Sequence, residues 1–264
     1  MGTEDIFAGF RKETFKALGR TRDVYRAGHG PTVIVLSEMP GITPSLVTFS
    51  RRLIEHGFSV AIPHLFGRDG HSASNREFAK TFREVCVSRE FTLFATGSSS
   101  RITRWLNELA RHEHSVNGGP GVGVIGMCLT GGFALAMMVD PVVVAPVLSQ
   151  PSLPIGRSKK KKRDLGISAE ELSVVQARAA NGVCVLGARF TGDKLSPGER
   201  FAHLREVLGT AFIGVEIDSS PTNPWGYPAD AHSVFTDGQD GKDGSPTSNA
   251  MAQLMAFFSD RLTT

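Results

Sequence analysis

The chain has little cysteine and no long apolar run, and both features narrow its class. Its 264 residues include three cysteines, Cys86, Cys128 and Cys184, whose odd number and spacing argue against a disulfide framework and a zinc site. No apolar run reaches the ~18 residues of a membrane-spanning helix. The N-terminus carries acidic residues where a secretory signal peptide has basic ones. We therefore expect a cytoplasmic protein with reduced cysteines and no membrane partner.

The chain also has only a small excess of charge of one sign. The formal net charge is +3, and much of the excess lies in one basic run, residues 159–163. Such a run is typical of a solvated loop, whereas nucleic-acid binding needs basic residues spread over a face with interleaved aromatics. Hydrophobic residues make up 41% of the chain, enough for a large core. The composition predicts a single domain, residues 1–264, without a nucleic-acid partner.

Short β-branched runs alternate with longer amphipathic ones along the chain, which is typical of a parallel sheet covered by helices. The predicted strands are 32–36, 58–62, 121–125, 142–145, 183–186 and 211–215. Helices are predicted after the cap Thr43, from Ser99 or Ser100, over 133–138, after capping boxes at Ser168 and Ser196, and over 248–260. The order predicts an α/β fold with helices on both faces of a mostly parallel sheet. Residues 151–180 are expected to form an excursion near the mouth of the active site.

The segment from Gly126 to Gly132 follows a predicted strand and leads directly into a helix. A nucleophile at such a turn is held above the sheet edge, and glycines make room for the strained backbone. Backbone N–H groups at a helix start stabilise a thiolate, and the N–H of Leu129 can donate to an oxyanion. Cys128 is therefore a candidate nucleophile, although a small buried cysteine in an ordinary turn gives the same local pattern.

A cysteine nucleophile needs a base, and the base needs an acid that orients it. In α/β hydrolases these residues occur in the order nucleophile, acid, histidine. Asp193 follows a predicted strand, and His232 lies in the loop before the final helix. Their positions predict a triad of Cys128, Asp193 and His232, with Asp218 and Asp230 as alternative acids.

The chain resembles the dienelactone hydrolase family from about residue 32 to the final helix. The motifs that carry the resemblance are Gly126-Met-Cys128-Leu, Thr191-Gly-Asp193 and Ala231-His232-Ser233. The resemblance implies an α/β-hydrolase fold, a Cys-Asp-His catalytic triad and no cofactor or metal. It also implies that the substrates are small lactones or esters.

The resemblance assigns a role to Glu38, which follows the first predicted strand. In the family, a glutamate at this place hydrogen-bonds the resting thiol and moves away when substrate binds. The neighbouring backbone N–H of Met39 would be the second oxyanion donor beside that of Leu129. Glu38 is therefore expected to be part of the catalytic machinery.

Three residues depart from the family pattern. Thr130 stands two places after the cysteine, where the family usually has glycine, and His64 stands where it often has aspartate. Thr236 replaces an arginine that holds the substrate carboxylate in the dienelactone enzymes. A hydroxyl does not replace a bidentate guanidinium, so we do not expect a dienelactone carboxylate as substrate unless Arg68 supplies the positive charge.

The sequence thus predicts a carboxylesterase-type hydrolase, a monomer or homodimer, that acts through an acyl-enzyme and water attack. Substrate contacts are expected from His64, Arg68, Ser233 and Trp225. Two other functions stay open. One is a non-catalytic ligand-binding protein on the same scaffold, and the other is a thiol redox or peroxidatic protein in which Cys184 or Cys86 resolves Cys128.

Overall fold

The structure is a computed structural model, and it describes residues 6–71, 74, 77, 79–81, 83, 101–152, 158–239 and 241–263. Its strands are β1 (Arg11–Ala17), β2 (Arg20–Ala27), β3 (Thr32–Leu36), β4 (Ser59–Pro63), β5 (Val122–Met127), β6 (Val143–Ser149), β7 (Val185–Phe190) and β8 (Phe212–Ile217). They form one sheet in the order β1-β2-β4-β3-β5-β6-β7-β8. The pairs β1–β2 and β2–β4 are antiparallel, and the other neighbours run parallel.

Helices cover both faces of this sheet. In chain order they are α1 (Pro44–Glu55), α2 (Arg101–Asn117), α3 (Gly131–Met137), α4 (Lys159–Arg163), α5 (Ala169–Ala180), α6 (Gly198–Leu208) and α7 (Pro246–Leu262). Helices α2, α3, α5 and α6 pack on one face, and α1 and α7 on the other. Among the described helices, none combines the length and apolarity that crossing a bilayer demands.

Strands β3 to β7 are buried on both faces, as a parallel sheet between helices requires. Along β3, Val33 and Val35 contribute to the core beneath α1 and α7, whereas Ile34 and Leu36 contribute to the core beneath α2 and α3. All four side chains are inaccessible to solvent. This period-2 alternation with apolar residues on both sides explains why the central strands are continuous hydrophobic runs in the sequence.

The C-terminal ends of the central strands meet at one edge of the sheet. Leu36 of β3 pairs with Gly126 of β5, and Met127 pairs with Ser149 of β6, which pairs in turn with Ala188 of β7. The segments that follow these four strands are therefore neighbours. This edge is the place where ligands bind in open α/β sheets.

The six predicted strands are confirmed as β3 to β8, with ends shifted by a few residues. The cap at Thr43 is confirmed, since its hydroxyl accepts from the N–H of Leu46. So is the capping box at Ser168, whose hydroxyl accepts from the N–H of Glu171 at 3.0 Å. The box at Ser196 is wrong, because α6 begins at Gly198 after Pro197.

Two further predictions concern the start of the helix near residue 100 and the stretch of residues 151–180. The predicted helix start at residues 99–100 lies outside the described residues, and α2 begins with Arg101. The 151–180 stretch contains helices α4 and α5, and Val175 of α5 is fully buried in the core beneath the sheet. Helix α5 is thus the ordinary crossover between β6 and β7. The position of the rest of this stretch near the mouth of the site stays a prediction.

Candidate active site

Cys128 lies at the turn between β5 and α3, with its backbone in the left-handed region at φ 53°. A short 3-10 turn, Cys128–Thr130, joins the strand to the helix. A Cβ atom on Gly126 would lie 2.1 Å from the carbonyl oxygen of Thr130, and one on Gly131 would lie 2.7 Å from the Cβ of Pro151. Glycine is therefore required at both places. The turn holds Cys128 at the sheet edge, almost fully buried.

Thr130, which departs from the family pattern, links this turn to β3. Its hydroxyl accepts a hydrogen bond from the N–H of Met127 at 2.8 Å. The same oxygen lies 3.0 Å from the carbonyl oxygen of Leu36 and 2.9 Å from that of Met127, to which it can donate. Because the side chain is fully buried, this tether is shielded from water. Thr130 therefore cross-links the nucleophile turn to the neighbouring strand.

Asp193 and His232 are hydrogen-bonded, with 2.7 Å between Asp193 Oδ2 and His232 Nδ1. The other oxygen of Asp193 accepts from the N–H of Leu195 at 2.9 Å, which fixes the carboxylate in its loop. The alternative acids Asp218 and Asp230 are exposed, and Asp218 bonds Ser220 within its own loop. The structure thus brings together His232 and the first of the three predicted acids.

The ring of His232 also interacts with Cys128. Its Nε2 atom is buried. Burial lowers the pKa of His232, but the Asp193 carboxylate and the Cys128 sulfur outweigh burial and raise that pKa to about 11. The arrangement favours an imidazolium cation beside the cysteine, as an ion pair with a thiolate requires.

Glu38 is buried between β3 and the loop that carries His232. Its Oε2 accepts from the hydroxyl of Ser233 at 2.9 Å and from the side-chain amide of Gln150 at 3.2 Å. Its Oε1 accepts from the hydroxyl of Thr236 at 2.9 Å. Burial raises the pKa of Glu38. Within the described residues none of its hydrogen bonds goes to Cys128, so the expected contact with the resting thiol is wrong for this structure.

The backbone N–H groups of Met39 and Leu129 are the predicted oxyanion donors. Each directly follows a residue of the site, Glu38 and Cys128 respectively. Neither N–H is taken by a backbone carbonyl among the described residues. Both are therefore available to a developing oxyanion, for which a pre-set and unpaired donor is the main requirement. Their catalytic role stays a prediction.

The four predicted substrate contacts lie in different settings. The His64 Nε2 atom is 3.2 Å from the carbonyl oxygen of Gly67 and 3.6 Å from Asp69 Oδ1, so this ring is engaged in its own loop. Arg68 is exposed, and Trp225 packs half-buried against the core beneath α1 and α7. Ser233 alone of the four joins the hydrogen-bond network of Glu38. Contact of any of them with substrate stays a prediction.

Arg200 is a buried residue near the site that the sequence did not reveal. Its Nε donates to the carbonyl oxygen of Asp164 at 2.7 Å, and its Nη1 donates to those of Pro151 and Leu195 at 2.6 and 3.2 Å. Burial lowers the pKa of Arg200 to about 10. The guanidinium ties the segment after β6 to the loop of Asp193. In the sequence it is an ordinary helix residue, and no motif distinguishes it.

The position of Cys184 bears on the redox alternative. Met127, the residue before Cys128, pairs with Ser149 of β6, and Ser149 pairs with Ala188 of β7. Cys184 precedes Ala188 by four residues, which is ~13 Å along a strand. A disulfide needs Cα atoms within about 7 Å, so Cys184 cannot resolve Cys128 without unfolding this edge. Cys86, the other proposed resolving residue, lies outside the described residues.

Residues 21–262 match the model of the dienelactone hydrolase family. A carboxymethylenebutenolidase from Rhodococcus opacus is 31% identical over 108 residues, which are 41% of this chain. The matched region spans 38% of that relative's length.

Solved structures with the same fold cover almost the whole chain. A structure described as a dienelactone hydrolase from Klebsiella pneumoniae subsp. pneumoniae MGH 78578 superposes with a TM-score of 0.64 at 17% identity, covering 95% of this chain and 98% of the other. A dienelactone hydrolase-like promiscuous phosphotriesterase from metagenomic libraries gives a TM-score of 0.62 at 17% identity, covering 96% and 98%. At these identities the likeness establishes the α/β-hydrolase fold.

Proposed function

The chain belongs to the dienelactone hydrolase family, and from that premise we propose that it hydrolyses small uncharged esters or lactones with Cys128 as nucleophile. One observation carries the proposal. The Asp193–His232 hydrogen bond of 2.7 Å places a histidine of raised pKa beside a cysteine at a strained strand-to-helix turn. A nucleophile, a base and an orienting acid in this arrangement are the machinery of acyl transfer.

The reaction begins with attack of the Cys128 sulfur on the substrate carbonyl. His232 holds the thiol proton, and the N–H groups of Met39 and Leu129 receive the negative charge that forms on the carbonyl oxygen. Each such donor contributes about 3 kcal/mol to lowering the barrier. Collapse of the tetrahedral intermediate breaks the ester bond, and His232 gives its proton to the departing alkoxide.

The second half of the reaction releases the acid. His232, now neutral, takes a proton from a water molecule, which attacks the thioester carbonyl on Cys128. The carbon–sulfur bond breaks, the carboxylic acid leaves, and the proton on His232 restores the starting pair. Asp193 keeps Nδ1 of the ring protonated, so that Nε2 faces the cysteine and the water in each step.

We infer the preference for uncharged substrates from the hydrogen-bond partners that the polar side chains near the site already have. The Thr236 hydroxyl, at the place of the family arginine, donates to Glu38. The buried guanidinium of Arg200 donates to backbone carbonyls. A substrate carboxylate would meet the carboxylates of Glu38 and Asp193 in a buried setting, and burying like charges together is costly. A thiolate nucleophile also fits a reducing compartment, and we propose the cytoplasm.

The test is turnover of a panel of p-nitrophenyl esters and small lactones. We expect Cys128→Ala to lose about 10³-fold or more in kcat while keeping its circular dichroism spectrum. Cys184→Ala is the matched control and should retain wild-type activity. Substantial turnover by Cys128→Ala would overturn the assignment of the nucleophile.

The substrate class is tested with a matched pair of esters. One carries a neutral acyl chain, and the other carries a terminal carboxylate on a chain of the same length. We expect kcat/KM to be at least about tenfold lower for the carboxylate, a difference of 1.4 kcal/mol. Equal values for the two esters would show that the site accepts anions.

A further inference from the structure

Gln150, which follows β6, has a strained backbone close to the nucleophile. Among the described residues other than glycine, Leu18, Cys128 and Gln150 have positive φ angles, and that of Gln150 is 34°. Leu18 is exposed in a hairpin turn, whereas Cys128 and Gln150 are buried at the ends of neighbouring strands. Strain of this kind persists only where the surrounding structure enforces it. The nucleophile turn explains Cys128, but Gln150 needs its own explanation.

The side chain of Gln150 joins two parts of the site. Its amide nitrogen donates to Glu38 Oε2 at 3.2 Å, and its amide oxygen accepts from the backbone N–H of Val234 at 3.2 Å. The hydroxyl of Ser149 also donates to that oxygen. The N–H of Val234 can only donate, so the amide oxygen must face it and the NH₂ group must face the carboxylate. Gln150 thus connects Glu38 to the loop that carries His232.

The backbone of Gln150 is held just as firmly. Its N–H donates to the carbonyl oxygen of Ala188 in β7 at 2.7 Å, and its carbonyl oxygen accepts from the hydroxyl of Ser152 at 3.0 Å. The N–H of Ser152 in turn donates to the carbonyl oxygen of Cys128 at 2.8 Å. Gln150 is fully buried, so none of these bonds competes with bulk water. The strained backbone is the conformation that lets one residue reach all of these partners.

We propose that Gln150 is a positioning residue that keeps the Cys128–His232 pair ready to react in the absence of substrate. It holds the Glu38 carboxylate against the hydroxyls of Ser233 and Thr236 and away from the thiol. It also fixes Val234, two residues after His232. The inference rests on the proposed function, because the state of this pair matters only where Cys128 is the nucleophile.

The readout is alkylation of Cys128 by iodoacetamide, which needs no turnover. The thiolate sulfur attacks the methylene carbon, a carbon–sulfur bond forms, and iodide leaves. The rate is measured by peptide mass spectrometry from pH 5 to 9 in the full-length protein. Cys184, half-buried and outside the site, is the internal reference. In wild type we expect Cys128 to react at least about tenfold faster than Cys184 at pH 6, because only Cys128 has a charged histidine partner.

The decisive variants are Gln150→Leu, Glu38→Ala and the double variant. Gln150→Leu keeps the side-chain size and removes both amide hydrogen bonds. We expect it to slow alkylation of Cys128 at pH 6 by about tenfold, the worth of one hydrogen bond between the released Glu38 and the thiol. Adding Glu38→Ala should restore the wild-type rate, which a merely structural role for Gln150 would not produce. If Gln150→Leu is unfolded by circular dichroism, Ser233→Ala tests the same release of Glu38 and should show the same loss.

Three outcomes would overturn the inference. They are equal alkylation rates in wild type and Gln150→Leu, a loss that persists in the Glu38→Ala background, and a wild-type Cys128 no faster than Cys184. Ester turnover by the same wild-type sample reports separately on the proposed function. A wild type that turns over esters with a slowly alkylated Cys128 would refute the role of Gln150 and leave the hydrolase assignment standing.

Discussion

Glu38 and Glu113 are both buried carboxylates, but they are held by different means. Glu113, on α2, accepts two hydrogen bonds from the guanidinium of Arg26 on β2, at 2.7 and 2.8 Å. Arg26 also reaches the more exposed Glu13 at 3.2 Å. Glu38 forms no salt bridge with a described residue and is held by two hydroxyls and one amide. Glu113 is hydrogen-bonded to a guanidinium cation, whereas the hydrogen bonds of Glu38 come from neutral groups.

We expect this difference to separate a structural carboxylate, Glu113, from a functional one, Glu38. A buried charge costs several kcal/mol unless it is paired, and pairing fixes its protonation state. Glu113 joins α2 to β2 through its pair with Arg26, and this role needs only a carboxylate that stays charged. Glu38 lies beside the reacting groups with a pKa raised by burial, so its charge can respond to what enters the site. Four substitutions test how these buried carboxylates differ.

The largest effect is expected at Asp193, a third buried carboxylate whose partner is the ionisable ring of His232. Asp193→Asn keeps the shape but lets the ring adopt the wrong tautomer. We expect kcat for an ester to fall about 10⁴-fold with little change in stability. Asp218→Asn, at the exposed alternative acid, is the control and should match wild type. A loss of less than tenfold in Asp193→Asn would show that this pair does not drive the reaction.

Glu113→Gln should produce the largest loss of stability. It leaves the guanidinium of Arg26 buried without its main counter-ion, at a cost of about 3 kcal/mol in the free energy of unfolding. Urea denaturation measures this, and activity per folded molecule should not change. Glu108→Gln on the same helix breaks the exposed pair with Arg111 and should cost less than about 1 kcal/mol. Equal costs for the two variants would mean that burial of the Glu113 pair has no energetic weight.

Thr236→Val removes one of the three donors to Glu38 without changing the shape of the side chain. We expect a loss of about 1–2 kcal/mol in unfolding free energy at pH 8, because a buried carboxylate oxygen loses its only described partner. The loss should shrink at pH 5, where the carboxyl is closer to its neutral form. Thr222→Val, at an exposed threonine, serves as the control. A loss independent of pH would point to packing rather than to the charge of Glu38.

The smallest effect, of opposite sign, is expected for Glu38→Gln. Because the pKa of Glu38 is raised in the folded state, the wild type loses stability as pH rises from the ordinary glutamate value, about 4.3, through the raised value. Glutamine cannot ionise, so the variant avoids this loss. We expect a gain of about 1 kcal/mol at pH 8 and none at pH 4, measured by urea denaturation. Destabilisation at pH 8 would show that the three donors over-compensate the burial of the charge.

Strands β3 to β7 could be predicted from sequence because each of them is buried on both faces. The antiparallel hairpin of β1 and β2 was missed for the opposite reason. Residues 11–17 are mostly exposed and rich in charge, so no apolar pattern marks them as a strand. The hairpin joins the sheet through the pairing of β2 with β4, a contact between distant parts of the chain. Its one local signal is Gly19, with a φ of 74° in the turn.

The candidate site likewise contains residues that could be predicted from the sequence and residues that could not. Cys128, Asp193 and His232 follow from chain order, since each occupies a place that the fold reserves for one role. The hydrogen bonds of Glu38 could not be predicted, because they depend on how a loop near residue 233 meets the end of β3. Gln150 carries no motif at all. What distinguishes it is a strained backbone and hydrogen bonds to three separate segments, through Glu38, Val234 and Ala188.

The tether at Thr130 has a consequence for how such an enzyme changes over time. The hydroxyl binds the nucleophile turn to the end of β3, so Leu129 and Met39, one on each side of the tether, belong to a single rigid unit. The loop of residues 220–228, which lies between β8 and His232, is held by hydrogen bonds of its own, such as those between Asn223 and Tyr227. Insertions and substitutions in this loop can change the substrate entrance while the spacing of the two amides stays the same. New substrates are then a matter of loop variation, with the reaction itself carried over intact.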